Sequence, residues 1–199
     1  MKNNQTLKDS LLKLPLDPGE KVLLWLTFVG QKPVSDIYVL LRDKDKLRKG
    51  QFSIKHQDVE NNLKAIKAWI SNSGLFFEIE KEHPYAWRVG RDKTLVEKSI
   101  KYLHLPEKDK QCELGLIFGY PKNSEEAYVN NQESTYEQFI KNMIPPRGIE
   151  GGNSEYFWPY AIFAISKCHK DEGVGVAIKW ADIIRKDLPE LASQYEKSL

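Results

Sequence analysis

Cysteine is scarce in this 199-residue chain. Cys112 and Cys168 form no CxxC pair and no metal-ligand spacing, which excludes a disulfide framework and a zinc finger as organising devices. Both sit among apolar neighbours and read as buried, reduced thiols. His56, His83, His104 and His169 share no ligand spacing with one another or with the cysteines. Long apolar runs are missing as well. The longest, "VLLWLTFV" at 22–29, is interrupted by a threonine and falls far short of the ~20 residues a bilayer span needs. At the N-terminus, "MKNNQTLKDSLLKL" carries Lys8, Asp9 and Lys13, which argues against a signal peptide. These absences predict a soluble, cytoplasmic protein with no membrane association, no metal and no cofactor. Charge of one sign is also missing: the formal net charge is +2. Residues 1–104 hold 19 Lys and Arg against 13 Asp and Glu, and the remainder holds 11 against 15. A split of that size is common on soluble proteins and does not by itself specify a nucleic-acid partner.

What the chain does have is material for a core. Hydrophobic residues make up 41%, with five Trp, nine Tyr and eight Phe, which is enough to rule out global disorder. No repeat, low-complexity tract or clear linker divides it, so residues 1–199 read as a single globular domain.

Punctuation then sets the elements. "TLKDSLLKL" (6–14) is a short helix stopped by Pro15. Asp17, Pro18 and Glu20 look like the cap, first turn and capping-box acid of a helix running into "VLLWLTFV". The same run fits a buried strand nearly as well, because it is apolar all round and its period cannot decide. "VSDIYVLL" (34–41) reads as a strand. Val59, Leu63, Ile66 and Ile70 form a helical stripe ended by Gly74. "LFFEIEKEHPYAWRV" (75–89) reads as a hairpin turning at Glu82-His83-Pro84. Asp92 or Thr94 caps a helix through Leu103, with Glu97 as the capping-box acid. A helix from about Asp109 ends at Gly119-Tyr120-Pro121, and Asn123 caps the next one, with Glu126 following. A short helix at about 135–143, a Pro- and Gly-rich loop at 145–155, a buried strand at 160–167 and helices at 173–186 and from Pro189 complete the chain. The sum is an α+β fold: one small, partly antiparallel sheet packed with several helices, helix-rich in its C-terminal half.

Two of these stretches carry a resemblance. "WRVGRDKTLVEKSI" (87–100) and "ELGLIFGYPKNSEEAYV" (113–129), followed by a strand and a "WADIIR" helix, resemble an uncharacterised prokaryotic family, mostly archaeal. Its members carry a V-G-R-D stretch and then an L-x-G-Y-P-x-x-x-x-A-Y/F corner. The likeness lies in short motifs over about a third of the chain. It implies a shared fold and attaches no activity.

Each candidate for chemistry has a structural counterpart. A DNA-reading corner at Gly119 would press Glu125 and Glu126 toward phosphates, so packing is the better reading. Arg42, Lys44, Lys46, Arg48, Lys49 and Lys55 form a basic segment that fits RNA or another polyanion, or a solvated loop of mixed charge. Cys168 and His169, adjacent on a strand, would point to opposite faces and make a poor dyad. Gly173 and Gly175 echo a nucleotide-binding turn, but Asp171 and Glu172 would repel the phosphate. Trp87, Arg88, Arg91 and Tyr120 remain as a possible pocket for a carboxylate or phosphate. With every motif structurally accounted for, the sequence favours a non-enzymatic protein that binds a protein or other macromolecular partner. A small-molecule enzyme or anion-binding protein at Arg88, Arg91 and Tyr120, and a polyanion binder through 42–55, are the alternatives.

Overall fold

In a computed structural model, the described residues are 4–39, 56–103, 105, 108–131, 138, 141–144, 160 and 165–198. They form, in order, α1 (Asn4–Leu12), α2 (Pro18–Phe28), β1 (Val34–Tyr38), α3 (His56–Asn72), β2 (Phe76–Ile79), β3 (Ala86–Gly90), α4 (Lys93–Leu103), α5 (Lys108–Ile117), α6 (Lys122–Asn131), β4 (Met143–Ile144), β5 (Ile165–Ser166), a 3₁₀ turn at Lys167–His169, α7 (Lys170–Asp187) and α8 (Pro189–Lys197). The fold is α+β, with helix dominating the C-terminal half. A three-stranded antiparallel sheet runs in the order β1-β3-β2, and β4 and β5 make a separate two-stranded ladder.

Strand alternation divides the three-stranded sheet into two chemically different faces. Register places Trp87 of the central strand between Ile37 and Ile79, and Val89 between Ser35 and Phe77. This apolar face packs on α2 and α3 through Trp25, Ile66, Trp69 and Ile70, and the same core continues to Trp180, Ile184 and Leu191 of α7 and α8. The other face carries Val34 beside Gly90 and Asp36 beside Arg88. A smaller core of Val34, Val96, Ile117 and Phe118 covers one end of it. Because β3 is central, all five of its residues are buried, Arg88 included.

The "VLLWLTFV" ambiguity resolves as helix. Apolar residues all round suit α2 because it lies between the sheet on one side and α7 and α8 on the other. Its start is where the sequence places it, but the cap chemistry differs. Asp17 makes no side-chain cap bond, and Glu20 reaches away to accept the Tyr38 backbone N–H at 3.1 Å. That satisfies an outward amide of edge strand β1. At α4, Asp92 is the cap, accepting from the Thr94 and Leu95 amides at 2.8 and 3.3 Å, while Glu97 pairs with Lys93. Thr94 lies inside the helix.

The Gly119 corner is a corner. Gly119 has φ 78°, its N–H bonds to Leu116 O, and the Tyr120 N–H bonds to Gly115 O, both at 3.0 Å. This paired closure satisfies the last carbonyls of α5. Gly30 and Gly74, with φ 79° and 75°, close α2 and α3 by the same pattern. Asn123 does not cap α6. The helix begins one residue earlier, the Pro121 carbonyl accepts the Glu125 N–H, and the Asn123 side chain donates to Glu172 of α7 at 3.0 Å. Three further expectations change. Met143 opens a strand instead of ending a helix, Tyr160 lies in a turn, and Cys168 and His169 lie in the 3₁₀ turn. Cys168 is exposed and Cys112 half-buried, so neither is a buried thiol. The chain after β5 winds immediately into helix, which carries Cys168 off the strand and into solvent. The predicted loop at 145–155, His104 and the 40–55 segment lie outside the described residues.

Candidate functional site: a buried ionic cluster on the polar sheet face

Arg88 organises the polar face. It projects from the central strand, 2% exposed, and ion-pairs through Nη1 with Asp36 of β1 and through Nη2 with Glu80 at 3.6 Å. Glu80, just past β2, is itself 3% exposed. The Phe118 ring lies 5.7 Å from the guanidinium carbon. Arg88 Nε is buried and has no hydrogen-bond partner among the described residues. Two carboxylates against one guanidinium leave Asp36 short of compensation. Burial raises its pKa, against the pull of Arg88, and Glu80 nearby adds to the rise.

A second cation comes from the segment between α2 and β1. Lys32 is 1% exposed. Its Nζ donates to the Phe118 carbonyl and lies 4.7 Å from the Tyr120 ring centre and 4.8 Å from that of Trp180. Burial pushes the amine down to about 7, with Asp36 pulling the other way. Two acids flank the cluster. Glu20 is pushed up to about 8, by burial first, with Asp36 and Asp17 adding to it. Glu125 of α6 is pushed up to about 7 by burial, its carboxyl lying directly against the backbone of Gly115 in α5. Burial and then Glu125 raise the Tyr120 hydroxyl.

The four pocket residues named from sequence divide accordingly. Arg88 and Tyr120 belong to this cluster, joined through Phe118, whose ring is 5.9 Å from that of Tyr120. Trp87 lies on the opposite, apolar face, stacked on Phe77 at 5.1 Å and donating to Pro84 O at 3.1 Å. Arg91 is exposed and lays its guanidinium against Gly30. The polyanion candidates Arg42, Lys44, Lys46, Arg48, Lys49 and Lys55 lie outside the described residues. Lys32, Asp36, Glu80, Glu20, Glu125 and Trp180 escaped the sequence reading. One signal was available: Asp36 interrupts an apolar strand, as Arg88 does, and opposite charges on paired strands set a register.

Chemically the cluster balances itself. Arg88 faces both Asp36 and Glu80, so no spare positive charge remains on it to attract an anion. Elsewhere, an open depression of about 430 Å³ is lined by Arg185, Pro189, Ala192, Ser193, Glu196 and Lys197, with Arg185 and Glu196 paired at 2.9 Å. No group of three or more His, Cys, Asp and Glu among the described residues could hold a metal ion, and no described helix is long and apolar enough to cross a membrane.

Comparison with protein-family models, curated proteins and solved structures returns no match for this chain. Against the L-x-G-Y-P-x-x-x-x-A-Y/F pattern, the chain has Phe118 before Gly119 and Ile117 before that, and five residues separate Pro121 from Ala127.

Proposed function

We propose that this is a binding protein that engages an extended segment of a protein partner along the outer edge of β2. The observation that carries the reading is the state of that edge. β2 is the last strand of its sheet. The Glu80 N–H bonds back to Ala86 O at 3.1 Å, so alternation points the amides and carbonyls of Phe77 and Ile79 away from β3. They have no backbone partner among the described residues. Beside them, Phe76 is 46% exposed and Glu78 is exposed. An edge of this kind takes a further strand by main-chain pairing, with alternate side chains supplying selectivity. The internal neutralisation of Arg88 argues in the same direction, since it removes the anchor an anionic substrate would need.

The test is selection from a displayed library of linear peptides, followed by affinity measurement. Strand-forming peptides should be enriched, and Ile79→Pro should abolish their binding by removing an outward N–H, while the β2–β3 ladder stays intact. A deep library that yields no binder, or binders indifferent to Ile79→Pro, overturns the reading. So does robust turnover of an ester, phosphoester or nucleotide that is lost on substituting Arg88 in a folded variant.

A further inference from the structure

Lys32 is held in a way that a permanently charged group tolerates poorly. An ammonium has three N–H donors and no acceptor. Here one donor meets the Phe118 carbonyl, and two aromatic faces supply the rest of the shell. No carboxylate lies within ion-pair distance of Nζ among the described residues, and Asp36, the nearest source of compensation, is engaged by Arg88. The two ring faces offset only part of the cost of taking an ammonium fully out of water with no carboxylate beside it. A neutral amine keeps the hydrogen bond and the packing without that cost.

The contacts of Lys32 also join three parts of the fold. It precedes β1, touches the α5–α6 corner through Phe118 and Tyr120, and touches α7 through Trp180. We propose that Lys32 is a proton-operated latch: neutral, it holds the Gly119 corner and α7 against the sheet, and its protonation loosens that hold. Burial and Asp36 set its balance directly, and the other charged and titratable groups around it act through Asp36 or through the ring of Tyr120. β1 presents Asp36, β3 presents Arg88, the turn after β2 presents Glu80, the corner presents Tyr120, and α6 presents Glu125 behind that ring. From α7 comes Trp180, while its neighbours Lys179 and Asp182 remain exposed. The depression of the amine to about 7 agrees with this geometry and puts the transition at neutral pH. The latch is independent of the β2 edge, so failure of either reading leaves the other standing.

Two measurements test it. In the unaltered protein, the ¹³Cε shift of Lys32 should titrate with a midpoint near 7; a midpoint above ~10, the ordinary lysine value, overturns the proposal. Amide exchange, corrected for intrinsic rates, should show protection at Tyr120 and across α7 rising between pH 7 and 9. The limiting slope is about tenfold per pH unit, that of one proton. Lys32→Met should remove the slope. Flat protection in the parent, or an unchanged slope in Lys32→Met, sinks the latch. If Lys32→Met does not fold, the ¹³C midpoint and the parent slope decide alone.

Discussion

At Gly119 a single dihedral decides how the chain turns. Its φ of 78° lies where a side chain is strained, and an added Cβ would also sit 3.0 Å from Pro33 Cδ and 3.5 Å from Lys32 Cα. Gly119→Val should therefore cost about 1–3 kcal/mol in urea denaturation, with Gly119→Ala at the lower end. A variant as stable as the parent would mean that the corner opens without penalty. This residue was legible in the sequence because its constraint is local: a glycine between a helical stripe and a proline has one physical use. Glu20 was not. Its spacing from Asp17 matches a capping box, but the edge amide of Tyr38, eighteen residues away, competes for the same carboxylate and wins. Lys32 carries no sequence signal at all, since the groups that enclose it arrive from residues 118, 120 and 180.

Between elements, the α5–α6 hairpin shows what a helical glycine permits. Gly115 is buried in α5, and an ideal Cβ there would lie 2.0 Å from Glu125 Cδ. The missing side chain makes room for a carboxyl against the helix backbone. Alanine is favoured over glycine in a helix by about 1 kcal/mol, yet Gly115→Ala must turn Glu125 outward, which its flexible stem allows. Glu125 would then titrate as an ordinary exposed carboxylate. Its raised value favours the folded parent at low pH, an advantage lost as pH rises from about 4.5 to about 7. Gly115→Ala should thus compare better with the parent at pH 8 than at pH 5. An equal difference at both values would show that Glu125 is not buried against Gly115. The hairpin itself was legible from Gly119 and Pro121, and the α2 helix was half legible, since an all-apolar run says "buried" without saying how. The charged pairing of β1 with β3 was not, because strand order is a property of the sheet and not of either strand. The divided fate of Trp87 and Arg88 follows from the same cause. Adjacent in sequence, they serve opposite faces once β3 becomes central.

For the molecule as a whole, buried ionisable groups should give stability an inverted dependence on pH. Glu20 and Glu125 have folded values of about 8 and 7 against 4.5 when unfolded. Between those limits the folded state holds protons that the unfolded state has released, so stability falls as pH rises. Asp36, also raised, adds a contribution of the same sign at the acid end. Lys32 works in the other direction. Its folded value of about 7 lies below 10.5, so above pH 7 the unfolded chain binds the extra proton and stability rises with pH. Cys112, Tyr120 and Tyr160, all raised by burial, reverse that gain once pH passes their ordinary values. Urea denaturation from pH 4.5 to 9 should therefore show a minimum near pH 7–8, the range where an ordinary soluble domain is at or near its maximum. The limbs are separable: Glu20→Gln with Glu125→Gln should flatten the acid side, and Lys32→Met should flatten the alkaline side. A stability maximum at pH 7 would mean that water reaches these groups and that the polar sheet face is not sealed. A minimum there would mean the cluster is dry, with Glu20 and Glu125 losing their protons and Lys32 keeping its own at the same cost, that of a buried charge without water.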